Sequence, residues 1–118
     1  MNGSNHRIQF IEFARRHGDF AIVSAAALLE IESGKIARAS VTVGGVGVAP
    51  VRCAEVEQAI TGQAPSSELF IKACESCRSI DATEDIHATA EYRQHLAAVL
   101  SRRALEKACG LKSMPVVH

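Results

Sequence analysis

The sequence predicts an α+β domain in which strands come first and helices follow. Three observations lead there. Apolar and polar residues alternate in stretches before residue 44. A Ser33-Gly34 pair separates two of those stretches in the manner of a hairpin turn. After residue 53, apolar residues recur at helical spacing between capping residues. A chain of 118 residues fits one domain with a modest core. Its 47% hydrophobic and 22% charged content argue against disorder. With no tryptophan, one tyrosine and four phenylalanines, the core must come from Ala, Val, Ile and Leu.

The first strand runs from His6 to Ala14, where Ile8, Phe10, Ile11 and Phe13 sit among Arg7, Gln9 and Glu12. Gly18-Asp19 breaks it. Phe20–Ile31 contains Ala25-Ala26-Ala27, and propensity alone would permit a helix. The Ser33-Gly34 turn decides for a strand, because Lys35–Val43 beyond it alternates cleanly. Ile36, Arg38, Ser40 and Thr42 fall on one side and Ala37, Ala39, Val41 and Val43 on the other. The alanines of the second strand would let helices pack close to the sheet. Gly44-Gly45-Val46-Gly47 ends the third strand. It lacks the spacing of a dinucleotide fingerprint and the lysine of a phosphate loop, so it reads as loop punctuation. A short helix covers Ala54–Thr61, closed by Gly62. Pro65-Ser66-Ser67-Glu68 opens a second helix with a serine cap, carrying Leu69, Phe70, Ala73 and Cys77 on one face. Residues 81–85 form a polar break. A last helix runs from Ala88 to Ala108, with Tyr92, Leu96, Val99, Leu100 and Leu105 on its apolar side and Gly110 beyond its end.

Composition narrows the function. Thirteen basic and thirteen acidic residues cancel, which leaves no nucleic-acid footprint. No apolar run approaches the ~20 residues of a membrane span, and the polar start has no signal core. The expected compartment is the cytoplasm, with the four cysteines as reduced thiols. Cys74-x-x-Cys77 lies inside a helix, past the start where a dipole would lower a thiol pKa, and no further ligands are spaced for zinc. The pair therefore reads as small apolar side chains on a packed face, and a thiol oxidoreductase is the weakest reading. His87 reads as a helix-start residue and His95 as a surface or interface residue. Arg102-Arg103 suits the end of a helix, with pairing to acidic residues open and a solvated face as the default. The strongest claim belongs to Arg15-Arg16-x-Gly18-Asp19: two cations, a permissive glycine and a carboxylate at a strand end. On the residues alone this competes with an ordinary charged loop.

Several stretches, in order, carry a resemblance. They are Phe13-Ala14-Arg15-Arg16-x-Gly18-Asp19-Phe20, the hairpin, Val43-Gly44-Gly45-Val46 with Ala49-Pro50-Val51-Arg52, Asp85-Ile86-His87 through Tyr92-Arg93, and Arg102-Arg103-Ala104-Leu105. From about His6 to Gly110 the chain resembles the C-terminal domain of the FAD-carrying medium subunit of molybdenum hydroxylases, the carbon monoxide dehydrogenase and xanthine dehydrogenase family. The resemblance implies an α+β fold, a three-stranded antiparallel sheet packed with about three helices. Residues 1–5 are then a disordered lead or cloning remnant, 6–110 the domain and 111–118 a tail.

The resemblance further implies FAD in the parent complex, held weakly or not at all by this chain in isolation. Family glycine-rich pyrophosphate motifs, iron–sulfur cysteine patterns and molybdopterin-binding sequence are not found in it. A flavin-side role is implied for Arg15, Arg16, Gly18 and Asp19, and a partner-facing role for Asp85, His87, Tyr92 and Arg93. In xanthine dehydrogenases the loop matching Arg15 to Phe20 also affects nicotinamide access to the flavin. No catalytic residue and no metal ligand is implied. The implied partners are the remaining FAD-binding domains, an iron–sulfur subunit and a molybdenum subunit, with electrons passing from molybdenum through the clusters to FAD. The competing expectation is a stand-alone interaction or dimerisation module, possible as a homo-oligomer, that keeps the fold without redox activity.

Overall fold

The computed structural model describes residues 7–17, 20–47, 49–85 and 88–110; for residues 7–17 and 20–21 it describes the backbone alone. Among the described residues, four strands and three α-helices follow in order: β1 (Arg7–His17), β2 (Phe20–Glu32), β3 (Lys35–Gly44), β4 (Val51–Arg52), α1 (Ala54–Ile60), α2 (Ser67–Cys74) and α3 (Ala90–Ala108). A 3₁₀ segment, Glu75–Ser79, prolongs α2. The sheet is antiparallel throughout, in the order β1-β2-β3-β4. The three long strands are those expected from the sequence; β4 is a two-residue addition that alternation cannot reveal. The predicted lead and tail lie outside the described residues.

The hairpin between β2 and β3 turns on Ser33 and Gly34, with φ of 55° and 77°. Positive φ at both positions is the type I′ geometry whose twist matches that of the strands. Register corrects one detail of the sequence reading. Glu30 pairs with Arg38 and Ile31 with Ile36, so Ala37 is an extra residue. This bulge reverses the parity of β3: Ile36 is buried with Ala39, Val41 and Val43, while Ala37 is exposed.

One face of β2, made of Val23, Ala25, Ala27 and Leu29, is buried. The long helix α3 lies across β2 and β1 on this side. Its own buried residues include Ala97, Ala98, Ser101, Ala104 and Ala108. Small residues on both surfaces let helix and sheet approach closely, as the alanine run of β2 foretold. Phe70 of α2, Val56 and Ile60 of α1 and Val46 complete the core. The Ser66 hydroxyl caps α2 by accepting the Leu69 N–H at 3.1 Å. The Thr89 hydroxyl caps α3 from Tyr92 N–H at 3.0 Å, so that helix begins two residues later than the sequence suggested. Gly62 and Gly110, with φ of 86° and 75°, follow the ends of α1 and α3.

The far edge of β3 is sealed by the segment that follows it. Beyond the β4 pairing, Cys53 N–H donates to Val41 C=O at 2.8 Å. The Glu57 carboxylate accepts the Val41 N–H at 2.8 Å, in the place of an absent strand. Arg52 Nε donates to the same carboxylate at 2.9 and 3.0 Å. Further along, Gly62 N–H donates to Ile36 C=O at 2.7 Å and Ile36 N–H to Gln63 C=O at 2.9 Å. Edge groups that would otherwise template another chain are thereby satisfied.

Arg102 corrects another expectation: it is largely buried rather than solvated and stands 3.6 Å from a Glu106 carboxylate that is fully buried. Neither Glu106 oxygen has a hydrogen-bond partner.

Two stability predictions follow from these charges. Glu57→Ala leaves the Val41 N–H without an acceptor and should lower unfolding free energy by about 2–3 kcal/mol, with Glu57→Gln losing roughly half as much, in urea titrations. Replacing both charges, Arg102→Met with Glu106→Leu, should be neutral or stabilising in the same measurement, whereas Arg102→Ala alone should cost about 3 kcal/mol by stranding a buried carboxylate.

Candidate functional site

Four segments distant in sequence meet at one end of the sheet. The first is the end of the β1–β2 pair, where the register skips: Arg15 pairs with Val23 and Arg16 with Ala21, leaving Ile22 as the extra residue of a bulge. The second is the end of β3, where Ser24 pairs with Gly44. Gly45 follows with φ of 85°, packed so tightly on the bulge that a Cβ there would collide with the Ile22 carbonyl. Both the left-handed backbone and the close approach require glycine. The Gly44-Gly45 pair is thus more than punctuation: it lets β3 leave the sheet directly over the bulge.

The third segment is the connector of residues 80–85. Thr83 N–H donates to Val46 C=O at 2.6 Å, pinning the connector beside the glycine turn. The fourth is the start of α3, which holds the connector at both ends. Gln94 Nε2 donates to Ile80 C=O at 2.7 Å. The Arg93 guanidinium, 7% exposed, gives 2.9 Å and 3.4 Å contacts to Asp85 Oδ1 and Thr83 C=O. Asp85 closes its own loop, its carboxylate accepting Ala88 N–H at 3.2 Å and its N–H donating to Ala88 C=O at 3.0 Å. The Arg93 Nε–H is buried without an acceptor. The charge is affordable in this position because its fork fits a carboxylate and a carbonyl together.

The apolar side of α3 differs from the sequence expectation here. Arg93 occupies the buried stripe with Ala97, Leu100 and Ala104, while Tyr92 is 37% exposed. Of the four residues with an implied partner-facing role, Tyr92 offers surface, and Asp85 and Arg93 shape the connector. His87 lies outside the described residues. Of the four with an implied flavin-side role, Arg15 and Arg16 sit on β1 at the bulge, with their side chains outside the described set, as are Gly18 and Asp19 altogether. His95 is exposed, with Nδ1 3.1 Å from Arg78. Sequence reasoning passed over Thr83, which no motif marks.

A second cluster lies beside Ser101, two turns further along α3 than Gln94. Cys77 Sγ is 4.0 Å from Cys53 Sγ and 3.9 Å from Ser101 Oγ. Cys53, Cys74 and Cys77 are all buried, as expected of a packed pair in the case of the last two. Hydrogen bonding with Cys53, Cys74 and Ser101, together with the Arg78 charge, outweighs burial and pulls the Cys77 thiol well below the usual range. Hydrogen bonding to Cys77 and then burial push Cys53 and Cys74 upward. Among the described residues no three His, Cys, Asp or Glu side chains are arranged to hold a metal ion, and no helix is long and apolar enough to cross a membrane.

Residues 8–108 match the family model described as the CO dehydrogenase flavoprotein C-terminal domain. The chain belongs to this family. The CO dehydrogenase flavoprotein C-terminal domain of this chain is 39% identical over 100 residues to the caffeine dehydrogenase subunit beta of Pseudomonas sp. (strain CBB1), covering 84% of the chain and 34% of the relative. It is 37% identical over 101 residues to the 6-hydroxypseudooxynicotine dehydrogenase complex subunit alpha of Paenarthrobacter nicotinovorans, covering 84% and 34%. Quinoline 2-oxidoreductase from Pseudomonas putida 86 superposes with a TM-score of 0.77 at 27% identity, over 89% of this chain and 37% of that one. The chain spans about a third of the length of the curated relatives it matches. The sequence resemblance and the antiparallel sheet with three helices are both borne out.

The CO dehydrogenase flavoprotein C-terminal domain should respond sharply to changes at this corner. Gly45→Ala should lower the unfolding free energy by about 3 kcal/mol or more, from combined strain and clash. Arg93→Ala should cost about 2 kcal/mol, less than a fully buried pair because Asp85 is half exposed, and Arg93→Lys should not restore it. Chemical unfolding with amide-exchange protection of residues 80–89 checks both.

Proposed function

We propose that this domain forms one wall of the flavin site in the FAD-carrying subunit of a molybdenum hydroxylase-type oxidoreductase, and that the same end of the sheet packs against the rest of that subunit. The observation that carries the reading is convergence. Segments from Arg15 near one end of the chain to Arg93 near the other meet at the bulge of β1 and β2, the Gly45 turn and the start of α3. Within the core such expenditure of glycine and buried charge is unnecessary; at a cofactor wall it sets backbone position.

The fit to FAD is that of a wall and not of an enclosure. A tight site buries most of its ligand in pre-formed surroundings. The side-chainless Gly44-Gly45 surface, beside the bulge at Arg15 and Arg16, suits close approach by a flat, anionic group. The larger cavities beside α1 and α2, lined by Glu55, Ala59, Leu69 and Lys72 or by Arg38, Glu57 and Thr61, lie away from this corner. The remaining contacts would come from polypeptide such as the other two thirds of the relatives. Arg15 and Arg16 would supply positive charge, Gly18 the permissive turn, and Asp19 a carboxylate to orient polar groups. FAD itself, when bound, would carry out the electron transfer. The chain's own residues would position the group and exclude water from one side of it. Iron–sulfur and molybdenum subunits would complete the assembly, with Tyr92 and the connector at its surface.

The test is co-expression of this chain with the remaining FAD-binding domains and the partner subunits. Co-purification with bound FAD is expected, while the chain alone should retain little. Arg15→Ala, Arg16→Ala and Asp19→Ala should each weaken FAD retention about tenfold, equivalent to about 1.4 kcal/mol, without lowering the melting temperature of the chain. Flavin content and flavin potential unchanged in all three variants would overturn the reading. A chain that only self-associates and never joins a flavoprotein would favour the interaction-module alternative.

A further inference from the structure

The Cys53, Cys74 and Cys77 cluster has no part in the flavin-side corner. Three features distinguish it from ordinary core packing. Its sulfurs come from separate elements: Cys53 precedes α1, Cys74 ends α2 and Cys77 sits in the 3₁₀ segment. Cys77 is the hub, in contact with Cys53, Cys74 and Ser101. Cys53 and Cys77 also share the wall of a cavity of ≈ 200 Å³, with Arg52, Glu55 and Ser79 at its polar rim. A water occupies about 30 Å³ of liquid, so a molecule of two oxygens fits with room to spare.

We propose that Cys77 and Cys53 are a peroxide-reactive thiol pair that closes to a disulfide between the start of α1 and the 3₁₀ segment. The oxidant is hydrogen peroxide or a small hydroperoxide entering the shared cavity. In the first step the Cys77 thiolate attacks one peroxide oxygen. An S–O bond forms, the O–O bond breaks, and hydroxide leaves, so sulfur loses two electrons and peroxide gains them. In the second step Cys53 sulfur attacks the Cys77 sulfenic acid. The S–S bond forms, the S–O bond breaks, and the hydroxyl departs with the Cys53 proton as water.

Geometry selects Cys53 over Cys74 as the resolving thiol. The Cys53 and Cys77 sulfurs, 4.0 Å apart, must close by roughly 2 Å to reach bonding distance, within the reach of side-chain rotation. Cys74 and Cys77 lie three positions apart on continuous helical backbone. Such neighbours hold their Cβ atoms about 5–6 Å apart, while a disulfide needs roughly 3.5–4.5 Å. Hydrogen bonding with Cys74 and Ser101, the latter with its Oγ 3.9 Å away, instead favours the ionised form of the attacking sulfur. The bond would tie α1 to the segment leading into the 80–85 connector.

The experiment uses the full chain and needs no flavin. Reduced protein is treated with hydrogen peroxide, quenched with an alkylating reagent and mapped by peptide mass spectrometry. A Cys53–Cys77 cross-link, reversed by dithiothreitol, is expected, with Cys77 oxidised at least about tenfold faster than the more accessible Cys109. In Cys53→Ser, Cys77 should stop at a sulfenic acid that dimedone captures; in Cys74→Ser the cross-link should still form. A Cys74–Cys77 product, or Cys77 no faster than Cys109, would overturn the proposal. Because the wild-type map alone decides between these outcomes, a variant that fails to fold does not blunt the test. Loss of flavin binding in the preceding experiment would leave this result untouched.

Discussion

The absence of a side chain at Gly45 holds together everything at the corner. The Ile22 carbonyl occupies the space a Cβ would need, so β3 can leave the sheet directly above the bulge of β2. Val46 is then fully buried and its carbonyl reaches Thr83. Thr83 in turn presents its own carbonyl to Arg93. Each link depends on the position set by the one before it. A bulge alone would bend one strand; with glycine seated on it, the bend fixes the course of a loop and the start of a helix.

The two ends of the domain are stabilised by different physics. At the corner, backbone contacts and a nearly buried guanidinium set position, and Arg93 Nε–H is left unpaired. At the β3 edge, the Glu57 carboxylate stands in for the backbone of a missing strand and is balanced by Arg52. Between them, α3 rests on a bed of alanine and serine where close packing does the holding. The polar end is therefore built for position and the middle for cohesion, an arrangement consistent with function lodged on loops above a rigid scaffold.

Much of the fold could be read directly from local chemistry. Ser33-Gly34 demanded a hairpin, Ser66 a helix start, and the alternation of β3 one buried face. The failures share one cause: they concern features that only tertiary contact defines. The Ala37 bulge shifts parity in the middle of a regular pattern, so alternation assigned Ile36 to the wrong side. Arg93 sits where an apolar residue belongs because Asp85, eight positions earlier, neutralises it. Arg102 is drawn inward by Glu106. The meeting of Cys53 with Cys77 crosses two helices and leaves no periodic trace. At the corner, the ordered family markers include segments that meet in the fold, but the reason they meet, Gly45 against Ile22, is a distance that no motif encodes.

The seating of α3 on β2 also bears on how the chain acquires its shape. The apolar face of β2 is complete once Ile31 has been synthesised, yet its cover begins only at Ala90. On a ribosome the hairpin must therefore wait, greasy side uncovered, while both short helices and the connector emerge. Local turn chemistry at Ser33-Gly34 can form early, whereas closure is a late event with a large loop to gather in. During that interval the nascent sheet is most in need of a protective companion.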